Sequence, residues 1–207
     1  NTPSSLIKVA SSVISRGSYF KRHIVSGELT YNVQTSERSM HQFSPISLQY
    51  NYMTSHTAVF DSILNANPYL KVTMKDVFIP KMRYSYIFNS PSRYRHPIWW
   101  QTTFSEASNF LSLAYMAAGK KWNEKDKTLF KNPFAHFFKI ETDWRKTWKL
   151  NAHSQLVAHA SAGAIWSYGN ATEAPYSEQF YVGGANSIRA FTARSIGPGA
   201  YYPTAST

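Results

Sequence analysis

Hydrophobic and polar residues alternate along much of this chain with a period of two. In residues 45–53, every second position from Ile46 to Tyr52 is apolar or aromatic, and the positions between them are Ser, Gln and Asn. Successive side chains of a β-strand point to opposite faces, whereas an α-helix repeats about every 3.6 residues. The pattern therefore predicts a β-strand with one apolar and one polar face.

The same alternation recurs at other places in the chain. The segments are residues 8–14, 25–33, 78–88, 98–104, 138–148 and 156–165. Together with residues 45–53 they predict about seven strands and an all-β fold. Most of these segments are about nine to twelve residues long, which is near the length that a tilted strand needs to cross a bilayer and longer than most strands of soluble sheets.

The connections between these segments alternate in length. Short turns are predicted at 36–40, 89–95 and 150–154, and long loops at 54–74, at 106–135 and beyond Trp166, with 16–20 as a short exception on the long side. Two segments inside the loops, 61–64 and 110–118, are predicted to be helical. Short turns at one end and long loops at the other are typical of transmembrane β-barrels. We therefore predict an antiparallel transmembrane β-barrel.

Seven antiparallel strands cannot close such a barrel by themselves. They leave two edges unpaired, and a sheet edge cannot face lipid because its backbone groups would lack hydrogen-bond partners. We therefore expect residues 1–207 to be part of one larger barrel domain, to which further strands of the protein contribute.

Charged residues concentrate on the polar face of two predicted strands. The candidates for a wall facing the barrel lumen are Lys81, Arg83, Lys139, Glu141, Asp143 and Arg145. They are compatible with a cross-strand ladder, with a surface that presents charge to a passing polypeptide, or with a solvated wall. Glu141 and Asp143 lie two residues apart, but the sequence offers neither a positioned nucleophile nor a cleft, so we predict no catalysis.

The composition narrows the classes of function further. The chain carries 22 Lys and Arg against 11 Asp and Glu, a formal net charge of +11, and 16% of its residues are aromatic. A sequence this aromatic is not disordered. The charge is compatible with nucleic acid, but several basic residues, such as Arg93 and Arg95, lie in predicted turns, where anionic lipid headgroups are the simpler partner. No Cys is present and the seven His lack ligand spacing, so we predict neither a metal nor a cofactor.

The most distinctive stretch of the chain interrupts the alternation after residue 166. It contains paired glycines, Gly183 and Gly184, which permit a positive φ and a tight turn. The tetrapeptide Ile188, Arg189, Ala190 and Phe191 follows, in which apolar residues flank a lone Arg. A planar guanidinium forms several hydrogen bonds at once, so this loop is suited to fold inward and be held by Arg189.

This stretch resembles a loop of a known family of membrane proteins. QFYVGGANSIRAF, followed by RSIGPGAYYPT, is similar to the sixth extracellular loop of the BamA/TamA superfamily of outer-membrane assembly barrels, the bacterial surface antigen family. The phrases SPISLQYNYM, FDSILNANPYL and SEASNF resemble in particular the TamA-like proteins of Bacteroidota. The tetrapeptide departs from the family at Ala190, where Gly is usual, and a β-carbon there is awkward if the backbone needs a positive φ.

The resemblance implies a fold and a place within it. The chain would correspond to strands five to eleven of a barrel of about sixteen strands, with residues 167–207 as a long extracellular loop that folds toward the lumen. In such barrels the Arg contacts acidic and aromatic groups of the inner wall, and its acidic partner lies on later strands. The periplasmic repeat domains of the family would lie outside this segment.

The resemblance also implies a function at the bacterial outer membrane. The protein would insert other outer-membrane proteins or translocate them, without being an enzyme. Its partners would be outer-membrane lipid, unfolded client proteins, and accessory lipoproteins or an inner-membrane protein. Two rival interpretations remain open: a dedicated transporter, either an exporter of the two-partner secretion type or a porin, and a soluble ligand-binding β-sandwich.

Overall fold

The chain folds into long antiparallel strands. The structure is a computed structural model that describes residues 3–16, 19–66, 71, 74–91, 93–119, 128–129, 132–169, 174–175, 177–185 and 187–191. Within these residues, seven strands form one sheet in which all neighbours are antiparallel. The prediction of an all-β fold with about seven strands is confirmed.

The bounds of the elements are as follows. The strands of the sheet are β1 (Ser4–Arg16), β2 (Phe20–Gln34), β3 (Ser39–His56), β4 (Val77–Asn89), β5 (Ile98–Ala107), β8 (Phe137–Lys149) and β9 (Gln155–Ser167), and they lie side by side in this order. A short ribbon, β6 (Thr128–Leu129) with β7 (Asn132–Pro133), and two helices, α1 (Ala58–Ala66) and α2 (Asn109–Ala117), belong to the connections. Both helices overlap the segments that the sequence predicts.

The strands extend further than the alternation indicates. Most of the predicted connections begin or end inside a strand of the structure, as where Arg16 still pairs with Phe20. They are the connections 16–20, 36–40, 54–74, 89–95 and 106–135 and the one beyond Trp166. The turn at 150–154 is where the sequence predicts it. These differences arise because backbone hydrogen bonds set the end of a strand. Such hydrogen bonds continue beyond the point where the alternation of side chains stops.

The register of the sheet separates two chemically different faces. One row of paired residues runs from β2 to β9 on one face: Tyr31, Phe43, Tyr84, Phe104, Ile140 and Ala164. The adjacent row lies on the other face: Asn32, Gln42, Ser85, Thr103, Glu141 and Gly163. We call the two surfaces the apolar face and the charged face.

Side chains of the apolar face are exposed although they are hydrophobic. Ile7 is 75% exposed and Trp100 is 41% exposed, and the apolar face includes many further exposed large side chains. A soluble monomer rarely exposes a contiguous apolar surface of this extent. An apolar exterior opposite a polar interior is the pattern of a membrane-spanning β-barrel, and the sheet is consistent with a partial barrel segment.

The buried core lies at the end of the sheet where the long loops are. Ile79, Ala107, Ala135 and Phe137 form it. The backbone of the loop before β8 continues the ladder of β4, because the Ala135 N–H donates to the Phe78 carbonyl at 2.9 Å. This packing fixes the loops against the sheet. In the described part of the chain, neither helix is long and apolar enough to cross a membrane.

A buried polar cluster joins two connections at the same end. The fully buried ring of His136 contacts the side-chain oxygen of Asn109 through Nε2 at 2.7 Å. The Tyr168 hydroxyl donates to the same oxygen at 2.9 Å, and its ring centroid lies 4.4 Å from that of His136. The chain that leaves β9 is thereby held beside the loop between β5 and β8.

Candidate functional site: a loop segment on the charged face

The six charged residues predicted from the alternation share one face of the sheet. The register places Lys81 and Arg83 of β4 on the same side of the sheet as four residues of β8: Lys139, Glu141, Asp143 and Arg145. Their orientation toward the lumen of a closed barrel stays a prediction.

Ion pairs connect these charges to one another and to residues that the sequence did not single out. Lys139 Nζ lies 3.2 Å from Glu141, and Arg145 Nε lies 3.4 Å from Asp143. Asp143 also contacts His159 Nε2 on β9 at 2.9 Å. The pairs therefore run mainly along β8 and extend to β9.

A second group of contacts crosses strands on the same face. Arg83 forms an ion pair with Glu28 of β2. The Glu28 carboxylate also accepts a hydrogen bond from Ser44 Oγ at 3.0 Å, and that hydroxyl is 2.9 Å from Thr30 Oγ1. The alternation in β2 predicts that Glu28 lies on the polar face, but nothing in the sequence indicates that Arg83 is its partner.

The segment that follows β9 returns to the charged face. Glu178 is 8% exposed, and its carboxylate lies between two ammonium groups, 2.5 Å from Lys81 Nζ and 3.7 Å from Lys139 Nζ. The Glu178 N–H donates to the Pro175 carbonyl at 2.8 Å, which sets the turn that points the side chain at the sheet. Sequence reasoning missed Glu178, because no periodic pattern leads to it.

Phe180 makes the second contact of this segment with the sheet. Its ring lies over Gly163 of β9, where an added β-carbon would stand 2.4 Å from Phe180 Cζ. The ammonium group of Lys139 is 4.7 Å from the centroid of the same ring, within the range of a cation–π interaction. Gly163 is therefore required by the close approach of an aromatic side chain.

A cavity of about 650 Å³ lies beside this contact, between the segment and the charged face. Polar and charged side chains of the sheet line one side, including Gln101, Asp143 and Ser161, and Tyr181 closes another. The Arg145 guanidinium lies 4.7 Å above the ring of Trp99 at its margin. Charged side chains, Glu141, Asp143 and Arg145, are part of the lining, so the cavity is not a purely apolar ligand pocket.

The loop motif folds as a tight turn. Gly183 and Gly184 have φ angles of 99° and 95°, as the paired glycines predict. The Gly184 N–H donates to the Phe191 carbonyl at 2.8 Å, and the Phe191 N–H donates to the Ile188 carbonyl at 3.1 Å. These bonds bring the two ends of the motif together.

Arg189 and Ala190 lie on the exposed side of this turn. Arg189 Nε donates to the Ala185 carbonyl at 3.2 Å, and within the described residues the guanidinium has no acidic partner. The contact of Arg189 with acidic groups stays a prediction. Among the described non-glycine residues only Ser108 has a positive φ, so Ala190 bears no backbone strain. The rest of the predicted loop, residues 192–207, lies outside the described residues.

Comparison with known protein families matches the second part of the chain. Neither a search of curated proteins nor a search of solved structures found a match. The family model of the Omp85 superfamily domain matches residues 128–207, a range that holds β8, β9, Glu178 and the loop motif. This match supports the BamA/TamA superfamily for the chain, and with it a general role in protein assembly or transport at the outer membrane.

Proposed function

We propose that this chain is part of the membrane barrel of a TamA-like outer-membrane protein that inserts other barrel proteins into the membrane or moves them across it. In this proposal residues 1–207 supply strands five to eleven and the sixth extracellular loop of a barrel of about sixteen strands. The observation that carries it is the segment after β9, which binds the charged face of a sheet whose other face is apolar and exposed.

Aromatic side chains near both ends of the apolar face support the membrane part of the proposal. Toward the short turns, the Trp100 indole donates to Thr142 at 3.0 Å. Toward the long loops, Tyr50 stacks on Tyr52 with ring centroids 4.8 Å apart, and Phe138 stacks on Trp166 at 6.0 Å. Bands of aromatic residues at both interfaces are characteristic of transmembrane barrels, where the rings lie at the level of the lipid headgroups.

Basic side chains beside the short turns also support the membrane part of the proposal. The Lys146 ammonium lies 5.2 Å from the ring of Trp148 near the end of β8. In the turn before β5, hydrogen bonds and charge from Glu37 raise the pKa of Arg93 above its ordinary value. Cations just beyond an aromatic band are suited to contact anionic headgroups.

The proposed mechanism uses the loop as an internal support. The segment from Glu178 to Phe191 occupies the barrel interior and stabilises it, with Arg189 reaching acidic groups on later strands. The seam of the barrel, on strands outside this chain, can then open and offer an unpaired edge to a client strand, which pairs by β-augmentation. No bond to a client is made or broken, so the activity needs neither a catalytic group nor a cofactor.

Controlled depletion of the full-length protein, followed by quantitative proteomics of purified outer membranes, tests this function. An assembly factor serves many clients, so we expect many barrel proteins to decrease together. Loss of a single surface protein would instead identify a dedicated exporter. Loss of uptake of one solute, with all other barrels unchanged, would identify a porin.

A further inference from the structure

Within the described residues, Glu178 contacts the sheet and Arg189 donates only within its own turn. We propose that Glu178, Lys81 and Lys139 form an ionic latch that holds the segment on the charged face, with Phe180 on Gly163 as its second contact. The proposal rests on the proposed function, in which this loop supports the barrel interior, and it names the residue that positions the loop.

The latch is balanced in charge. One oxygen of Glu178 lies 2.5 Å from Lys81 and the other lies 3.7 Å from Lys139, while Glu141 is the second counter-ion of Lys139 at 3.2 Å. The side chains of Glu178 and Lys139 are both 10% exposed. Removal of Glu178 would leave two largely buried ammonium groups with one carboxylate, and an unpaired buried charge is strongly unfavourable.

The strand between the two lysines leaves room for this carboxylate. Lys81 belongs to β4 and Lys139 to β8, and β5 lies between these strands. The partner of Lys81 on β5 is Ala107, and the partner of Lys139 is Ser105. Both are small and buried, so a side chain from the loop can reach both lysines across β5.

Lys139 couples the two contacts of the segment. Its ammonium group faces the Glu178 carboxylate on one side and the ring of Phe180 on another. Arg189, by contrast, is exposed and donates within its own turn to Ala185. The latch, and not the Arg, therefore connects the described part of the loop to the sheet.

A reporter cysteine beneath the segment measures whether the latch is closed. Ser105 is 6% exposed, and Ser105→Cys changes its volume little. These 207 residues contain no other Cys, and the parent protein without the reporter corrects for any Cys elsewhere. The reporter thiol is labelled by a small water-soluble methanethiosulfonate, in the folded full-length protein in outer membranes. Its labelling rate reports the population in which the loop is open.

We expect Glu178→Met to raise this labelling rate about tenfold or more, because it removes the close counter-ion of Lys81 and leaves Lys139 with Glu141 alone. Lys81→Met combined with Glu178→Met removes both partners of the close pair, while Lys139 keeps Glu141, so the double variant should recover most of the protection. Arg189→Gln serves as the comparison and should raise the rate less than Glu178→Met does, because within the described residues Arg189 makes no contact with the charged face. Recovery in the double variant distinguishes a charge-specific latch from a general loss of packing.

Unchanged labelling in Glu178→Met, or a larger increase in Arg189→Gln than in Glu178→Met, would overturn the latch. If Glu178→Met does not fold, the folded amount of the double variant decides: recovery supports the latch, and no recovery overturns it. Labelling does not depend on client assembly. A negative result here combined with a broad loss of barrels on depletion would remove the latch and leave the proposed function standing.

Discussion

Replacing Ala160 with Arg is expected to destabilise the folded protein by about 2–4 kcal/mol, the cost of a basic side chain facing the middle of a bilayer. Ala160 lies near the middle of β9 on the apolar face, paired with Trp144. If lipid covers this face, the guanidinium has no water and no acidic partner there. Urea unfolding of the full-length protein in lipid vesicles measures the change in the free energy of unfolding.

Ser161→Arg is the matched control for this substitution. Ser161 is the next residue of the same strand, lies on the charged face opposite Asp143, and lines the cavity of about 650 Å³. A cation there has space, water and a nearby carboxylate, so the free energy of unfolding should change by less than about 1 kcal/mol. Equal effects of the two substitutions, or a neutral Ala160→Arg, would show that the apolar face does not lie in lipid.

The second large effect is expected from Gly163→Ala. The added β-carbon would stand 2.4 Å from the ring of Phe180 and 3.1 Å from the Ile140 carbonyl oxygen. Either the ring leaves its position or the strand moves, and overpacking of this kind costs about 1–3 kcal/mol. The same vesicle unfolding assay applies, and the resistance of the folded band to heating on gels is a second measure.

Gly27→Ala provides the comparison. Gly27 also lies inside a strand, but an added β-carbon there has no atom within 4 Å. Alanine restricts the unfolded chain more than glycine does, so this variant should be neutral or more stable by up to about 1 kcal/mol. If Gly163→Ala behaves like Gly27→Ala, the contact of Phe180 with Gly163 does not stabilise the folded protein.

Much of the sheet could be predicted because its signal is local. The alternation in β3 and β8 reports the face of each residue, and antiparallel neighbours joined by short turns follow from it. The same parity placed Lys139 and Arg145 on one side of the sheet. The ends of the strands could not be predicted, since the pairing of Arg16 with Phe20 depends on backbone hydrogen bonds and not on side-chain type.

The contacts of the loop segment could not be predicted from pattern. Glu178 meets Lys81 across 97 positions of sequence, and no periodicity relates them. Gly163 stands in a run of small residues, where only the arrival of Phe180 distinguishes it from its neighbours. The sequence pointed to Arg189, whose acidic partner stays a prediction, and it did not mark Glu178, although Glu178 directly precedes the QFYVGGANSIRAF stretch.

Reconstitution tests the central claim, assembly of other barrel proteins, most directly. The full-length protein is placed in phospholipid vesicles, an outer-membrane barrel unfolded in urea is added, and its folding is followed by the shift of its unheated band on a gel. We predict faster folding than in empty vesicles and in vesicles that hold an unrelated barrel of similar size. Equal folding rates in all three, together with solute flux through the reconstituted protein, would contradict the account and identify a transport barrel.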